Sequence, residues 1–373
     1  MPSRVSDPAF SFLMLNDPID LNAVRRVLVI KLRHHGDVLL TSPLFSALQQ
    51  QAPHLEIDAL VYHDTREMLS LHPAIAQLHT IDRNWKKRGP LGQARAELAL
   101  LSQLRARGYD LVITLTEHNR GAWLARLLAP RWSVGPQGPY GRFFKKSFTH
   151  RYLQVPGNRR HTIEIHLDAL RRIGVYPNES QRELVLVPGH NAEATLAAKL
   201  AERGLRPGAY ILVHPTSRWS FKSWPAEKMS ALIDALSARG EQLVLSAAPG
   251  EEEMAMIADI EARLERPVAS LAGQLSLKEL AAAIDQARLY IGVDSVPMHI
   301  ASAMKTPCVA LFGPSGDVEW GPWQVPHRVV SEPVPCRPCG NAGCGGGWQS
   351  ECLQRIKVDA VLAAVDAVLK ESA

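Results

Sequence analysis

The sequence predicts an α/β protein built from two doubly wound domains that face each other across a central cleft. Short apolar runs of strand length alternate along the chain with longer stretches of helical periodicity. Several runs are apolar on both alternating positions, as strands covered on both sides of a parallel sheet require. Polar, glycine and proline residues gather just after the carboxyl ends of these runs, where such sheets bind ligands. At 373 residues the chain exceeds one ordinary core and suits two.

In order, residues 1–24 read as a loosely ordered leader. Val27–Ile30 is the first strand, Lys31–Asp37 its loop and Val38–Gln50 a helix. Strands follow at Leu55–Val61, Gln77–Ile81 and Asp110–Thr114. A short helix is expected at Asp64–Leu69, with longer ones at Pro90–Arg107, Asn119–Leu128 and Thr162–Ile173. The basic segment 135–160 reads as a long loop with little regular structure. Pro177–Pro188 is the expected linker, so 1–180 form the first domain, 190–356 the second, and 357–373 a closing helix at Val358–Leu369. The second alternation places helices at Ala192–Glu202, Pro225–Arg239, Glu251–Leu264 and Ser276–Ala287, the last opened by a capping box of Ser276 and Glu279. Its strands are Ala209–Val213, Gln242–Ser246, Leu289–Val293 and, last, Pro307–Phe312. The two halves share only their βα rhythm; no short repeat is visible.

Composition narrows the class. Apolar residues make up 46% and charged residues 21%, as in a soluble globular chain. No apolar run reaches the roughly 20 residues that span a bilayer. Met1–Asn22 shows no basic start followed by an apolar segment, which points to the cytoplasm and to reduced cysteines. Net charge is +5, and the basic residues cluster at Lys86-Lys87-Arg88, Arg142, Lys145, Lys146, Arg151, Arg159 and Arg160. Such a face suits a phosphorylated glycan or an anionic membrane. Nucleic acid is disfavoured, since no aromatic recognition motif accompanies the charge.

The chemistry concentrates at strand ends. Leu289–Val293 runs into Asp294 and Ser295, then into a helix opened by Val296-Pro297-Met298-His299. Asp294 or Ser295 suits the N-cap and Pro297 the first turn. Free N–H groups and the helix dipole then make an anion site flanked by Asp294 and His299; the plainer alternative is an ordinary turn with a packed histidine. Thr216, Ser217 and Lys222 follow another strand and suit a diphosphate. Glu251-Glu252-Glu253 offers carboxylates to a ribose hydroxyl pair. The first half offers one carboxylate at a helix start, Asp37, suited to act as general base on an acceptor hydroxyl. Other chemistries lack their motifs: no Gly-x-Gly-x-x-Gly follows the first strand, no Walker lysine loop is present, and no Gly-x-Ser-x-Gly elbow occurs. There is no Asp-x-Asp to carry a metal-bound nucleotide diphosphate, which leaves that charge to Lys222 and helix-end amides.

Taken together and in order, three segments resemble the lipopolysaccharide core heptosyltransferases, glycosyltransferase family 9. They are Lys31-Leu-Arg-His-His-Gly-Asp37 running on to Pro43, His214-Pro-Thr-Ser-Arg-Trp-Ser-Phe-Lys222-Ser-Trp-Pro225, and Ile291-Gly-Val-Asp294-Ser-Val-Pro-Met-His299 running on to Phe312-Gly-Pro-Ser315. The versions of the first two resemble the heptosyltransferase III branch more than I or II. The resemblance implies the GT-B fold and an inverting transfer without metal or cofactor. It also implies an ADP-heptose donor, and a lipid-linked lipopolysaccharide inner core as acceptor at the inner face of the inner membrane. Carried onto this chain, Asp37 is the base and Lys222 acts with it in catalysis. Thr216, Ser217 and Lys222 hold the diphosphate, Glu252 the ribose and Asp294 the heptose hydroxyls, with Ser295 and His299 beside them. Arg120, Lys145 and Lys146 are candidates for acceptor contact.

One motif competes. Cys336-x-x-Cys339-x4-Cys344-x7-Cys352 brings four cysteines within 17 residues of glycine-rich chain, a pattern that can hold zinc. It is the best support for a rival reading, a non-catalytic nucleotide-sugar-binding or zinc-binding protein. Within the family, the rival reading is heptosyltransferase I or II.

Overall fold

The computed structural model describes residues 17–154 and 157–372. In the first half, strands β1 Arg26–Lys31, β2 Glu56–Tyr62, β3 Gln77–Ile81, β4 Leu111–Thr114, β5 Trp132–Gln137 and β6 His150–Leu153 form one sheet in the order β3-β2-β1-β4-β5-β6. In the second half, β7 Tyr210–His214, β8 Gln242–Leu245, β9 Ala269–Ser270, β10 Leu289–Val293, β11 Cys308–Leu311 and β12 His327–Val330 form another in the order β12-β11-β10-β7-β8-β9. All pairings are parallel. Counted from its own first strand, each half has the same strand order, so the halves share more than a rhythm. In each, the order reverses beside the first strand, between β1 and β4 and between β7 and β10. That crevice is where doubly wound sheets take ligands.

The central strands are apolar because helices cover both faces: Val27 to Ile30 of β1 and every residue of β10 are buried. The closing helix, Val358–Glu371, packs Val361, Val365 and Val368 onto the second half's core. The capping box at Ser276 and Glu279 is present.

The structure corrects several expectations. Of the expected leader, residues 1–16 lie outside the described residues, and the rest is packed: Ile19 and Val24 are buried, and the Ile19 amide donates to the Ile173 carbonyl at 3.1 Å. The segment 135–160 is not a plain loop. It completes β5, supplies β6 and holds a one-turn helix, Arg142–Lys145. Gly135 is required there, since a Cβ would lie 2.6 Å from the Phe148 ring. β11 is not the last strand; β12 follows it on the edge. The expected helix Val38–Gln50 is two helices, His35–Leu39 and Ser42–Gln51. Pro43, lacking an N–H, cannot continue the first, and the Thr41 hydroxyl donates to the Val38 carbonyl at 2.6 Å across the break.

The halves meet at several points. His161 stacks on Trp323 with 4.5 Å between ring centroids and bonds the Gly321 carbonyl at 2.9 Å. The Trp323 indole N–H donates to the Arg182 carbonyl, and Lys278 to the Ser70 carbonyl. At the cleft floor the helix His35–Leu39 touches the helix Val296–Ala303. A Cβ on Gly36 would lie 3.0 Å from the His299 ring.

Candidate active site

A cavity of about 560 Å³ opens between the halves. The loop after β1 and the helix His35–Leu39 bring Arg33, His34 and Asp37 to one wall. The second half brings Thr216, Ser217, Arg218 and Lys222 after β7, Glu253 after β8, and Asp294, Ser295 and His299 after β10. Asp37, Thr216, Ser217, Lys222, Asp294, Ser295 and His299 therefore converge, as the sequence predicts.

The ribose candidate moves by one residue. Glu252 is exposed, whereas Glu253 lines the cavity and accepts a 2.6 Å hydrogen bond from the Thr216 hydroxyl. Helical spacing explains this: Ile257 and Ile260 are buried, and Glu253 lies four and seven residues before them on the inward stripe. Ala247, Pro249, Leu275, Leu277 and Leu280 line the same cavity and give it an apolar wall.

Lys222 Nζ donates to the buried Asp294 carboxylate at 2.6 Å. Ser295 caps the helix Val296–Ala303, but its side chain accepts from no helix amide, and its hydroxyl donates back to the Val293 carbonyl instead. Val296, the first residue of that helix, lines the cavity; its N–H is one of the donors without a partner inside the helix, and Pro297 contributes none. His299 is buried and held neutral, its pKa pushed down to about 4 by desolvation. Its Nδ1 has no hydrogen-bond partner among the described residues. His214 is likewise neutral, with a pKa of about 4, and shares a 2.9 Å hydrogen bond with Ser246.

A second cavity, of about 440 Å³, lies in the first half. Lys31, Glu117, Gln137, Tyr140, Gln154 and His166 line it, and Arg33, Asp37 and Trp320 are common to both cavities. Asp37 thus stands between two chambers. Lys31 is the residue that sequence reasoning passed over. Its ammonium is buried, donates to the Leu115 carbonyl at 3.2 Å and to His166 Nε2 at 2.9 Å, and lies 3.8 Å from the Asp37 carboxylate. Desolvation lowers its pKa to about 8, and Asp37 opposes the shift. His166 is held neutral by burial, and its Nδ1–H goes to the Leu40 carbonyl, which leaves Nε2 as the acceptor. The available signal was a lysine closing an otherwise apolar central strand.

Arg120, Lys145 and Lys146 are not among the residues of either cavity. Arg120 pairs with Glu97, and the two lysines are exposed on the Arg142–Lys145 turn. The cysteines do not form a ligand set. All are free thiols, and no group of three or more His, Cys, Asp or Glu side chains among the described residues is placed to hold a metal ion.

Solved structures share this architecture. A glycosyltransferase family 9 protein from Veillonella parvula DSM 2008 matches with a TM-score of 0.79 at 23% identity, over 93% of this chain and 98% of that one. The E. coli heptosyltransferase WaaC with ADP matches at 0.71 and 20%, over 93% and 100%. The fold is GT-B. In sequence, the chain is 38% identical over 297 residues to lipopolysaccharide heptosyltransferase 3 of Escherichia coli (strain K12), spanning 78% of this chain and 83% of that protein. It is 28% identical over 327 residues to lipopolysaccharide heptosyltransferase 1 of Pseudomonas aeruginosa PAO1. The model of glycosyltransferase family 9 (heptosyltransferase) matches residues 97–346. Fold, cleft and sequence thus agree that the chain belongs to glycosyltransferase family 9, the heptosyltransferases.

Proposed function

We propose that the chain transfers heptose from ADP-heptose to the lipopolysaccharide inner core, as a branch on the second heptose, with inversion and without a metal ion. The observation that carries this reading is Asp37 in the wall common to two cavities of about 560 and 440 Å³, which in this reading take the donor and the acceptor sugar. The relative named heptosyltransferase 3, at 38% identity, favours the branching acceptor.

In this reading adenine lies against Leu275, Leu277 and Leu280, and its ribose bonds to Glu253. The diphosphate sits between Lys222, the Thr216 and Ser217 hydroxyls and the Val296 amide, while Asp294 takes heptose hydroxyls. The acceptor enters from the first-half cavity. Asp37 removes its hydroxyl proton as the oxygen bonds to the anomeric carbon from the face opposite the departing ADP. Base catalysis of this kind contributes about 10²–10⁴-fold. Fixed positive charge at the leaving diphosphate is typically the larger effect. The acceptor is lipid-linked, so the enzyme works in the cytoplasm at the inner face of the inner membrane. Among the described residues no helix is long and apolar enough to cross a bilayer.

Mass spectrometry of transfer tests this. ADP-heptose is offered with core acceptors carrying no heptose, one or two, with and without a chelator. One heptose is expected on the two-heptose acceptor only, unaffected by chelation, and Asp37→Asn should lose about 10²-fold or more of turnover while still binding ADP. Addition to a shorter acceptor would reassign the chain to heptosyltransferase I or II. A near-normal Asp37→Asn would remove the base.

A further inference from the structure

We propose that the outer face of the helices Gly89–Arg107 and Asn119–Leu128 is the surface by which the protein docks on an anionic lipid bilayer. This deepens the reading above by naming where a lipid-linked acceptor is met, and its test is read separately from transfer.

On the first helix Leu91 and Leu98 are 88% and 66% exposed; seven residues apart, they share one face. On the second, Trp123 and Leu127 are 54% and 41% exposed and lie four apart. The helices are neighbours. Glu97 pairs with Arg120, and the Arg105 guanidinium donates to the Leu127 carbonyl at 3.1 Å. The Trp123 ring packs at 4.4 Å on Phe143, whose other neighbour is the Arg126 guanidinium. The exposed apolar groups therefore lie on two neighbouring helices, with the half-buried Phe143 of the turn Arg142–Lys145 packed beneath Trp123.

This face is ringed by positive charge. Lys86, Lys87 and Arg88 are exposed ahead of Leu91, and Arg142, Lys145 and Lys146 are exposed beyond Trp123. Residues 83–151 hold fourteen Lys and Arg against three Asp and Glu, an excess of eleven. The whole chain carries only +5, so everything outside this segment sums to minus six. Some of it is met by carboxylates: Glu97 pairs with Arg120, and Asp64, Asp82 and the pair Glu56 and Asp58 outside the segment meet Arg83, Arg88 and Arg107. Lys86, Lys87, Arg142, Lys145 and Lys146 have no carboxylate partner among the described residues.

This chemistry selects the occupant. Nucleic acid would use the charge but gain nothing from exposed leucines. Tryptophan and leucine rimmed by lysine and arginine is the composition of interfacial binding, apolar groups entering the acyl boundary while cations meet headgroups. Position agrees as well. Tyr140, in the wall of the first-half cavity, packs its ring at 4.4 Å on Phe144, next to Phe143. This face is thus joined to the chamber assigned to the acceptor.

Sedimentation with vesicles tests the surface. One set is phosphatidylcholine; the other has roughly a third of it replaced by phosphatidylglycerol. Wild-type protein should bind the anionic set at least about tenfold more tightly and be released by salt. Leu98→Asp with Trp123→Ser, and separately Lys86→Glu with Lys87→Glu, should each weaken that binding about tenfold. Both should keep wild-type melting temperatures and wild-type transfer to a soluble, lipid-free acceptor. Arg239→Glu with Lys370→Glu, in the other half, should bind as wild type. Equal binding to both vesicle sets, unweakened variants, a control weakened as much as the variants, or a dimer in sedimentation velocity that the variants dissolve would each overturn the proposal. The expected vesicle pattern without transfer to any acceptor would uphold the docking surface and reject the function proposed above.

Discussion

Lys31 shows how much one side chain can depend on its surroundings. It ends an apolar strand, and burial alone would strip its charge; the nearby Asp37 opposes that, and the neutral His166 accepts one of its protons. With a pKa of about 8 it is charged at neutral pH and loses its proton as pH rises through that value. Its ammonium orients the Asp37 carboxylate at 3.8 Å, so turnover should fall above about pH 8. In Lys31→Met the neutral-pH rate should drop about tenfold and that limb vanish. A pH–rate profile checks this, and an unchanged limb in the variant would exclude Lys31 as its source. The sequence names Asp37 without trouble because a carboxylate in a strand-end loop stands out. It cannot tell which of three adjacent glutamates faces the cavity, because they differ only in their phase on the helix, which the buried Ile257 and Ile260 decide for Glu253.

At the scale of elements, the close approach of the helices His35–Leu39 and Val296–Ala303 couples the halves at the reacting centre. Gly36 makes it possible, because even one carbon there would press on His299 at 3.0 Å. Gly36→Val should cost about 1–3 kcal/mol through overpacking. By separating Asp37 from the donor wall it should also lower turnover far more than ADP affinity. Thermal melts and calorimetric titration with ADP would show this split; equal losses of affinity and rate would argue against it. Elements were legible where burial is two-sided. β10 is found residue for residue, and β1, β2 and β7 to within a residue or two, because sheet interiors demand unbroken apolar runs; β3 is also found residue for residue, although it is an edge strand in which only His79 and Ile81 are buried. The strands that escaped, β5, β6, β9 and β12, carry glycine, proline or charge, or are two residues long. All four lie on or beside an edge of the first sheet or on the rim of the second, where half-buried positions tolerate polar residues.

The whole molecule carries an unusual load of neutral buried imidazoles. His72, His161, His214 and His299 all have pKa values lowered to about 4, chiefly by desolvation. Unfolded, they take a proton near 6.5. Between those limits the unfolded chain binds more protons than the folded one, so stability is complete above about pH 6.5 and is lost as pH falls toward 4. His161 and His299 lie where the halves meet, so that junction shares in the loss. Unfolding at about pH 5 should take up about three protons from these sites. Calorimetry in buffers of different ionisation enthalpy measures that number, and a melting temperature flat between pH 6.5 and 5 would contradict it. The two-domain plan was readable from length and rhythm. The shared strand order was not, because it depends on which strands are neighbours in space.

The 2.6 Å bond between Lys222 and Asp294 has a further consequence for the function proposed here. In the structure each group serves as the other's ligand, so the pocket presents neither a naked cation nor a buried naked anion. In the reading proposed above, intact ADP-heptose would release both at once, its diphosphate replacing Asp294 on Lys222 and its sugar hydroxyls replacing Lys222 on Asp294. ADP alone offers only half of that exchange and would strand a buried carboxylate without a partner. The pair therefore works as a coincidence lock. It favours loading by the whole donor and, once the sugar has gone, closes again and helps eject the nucleotide.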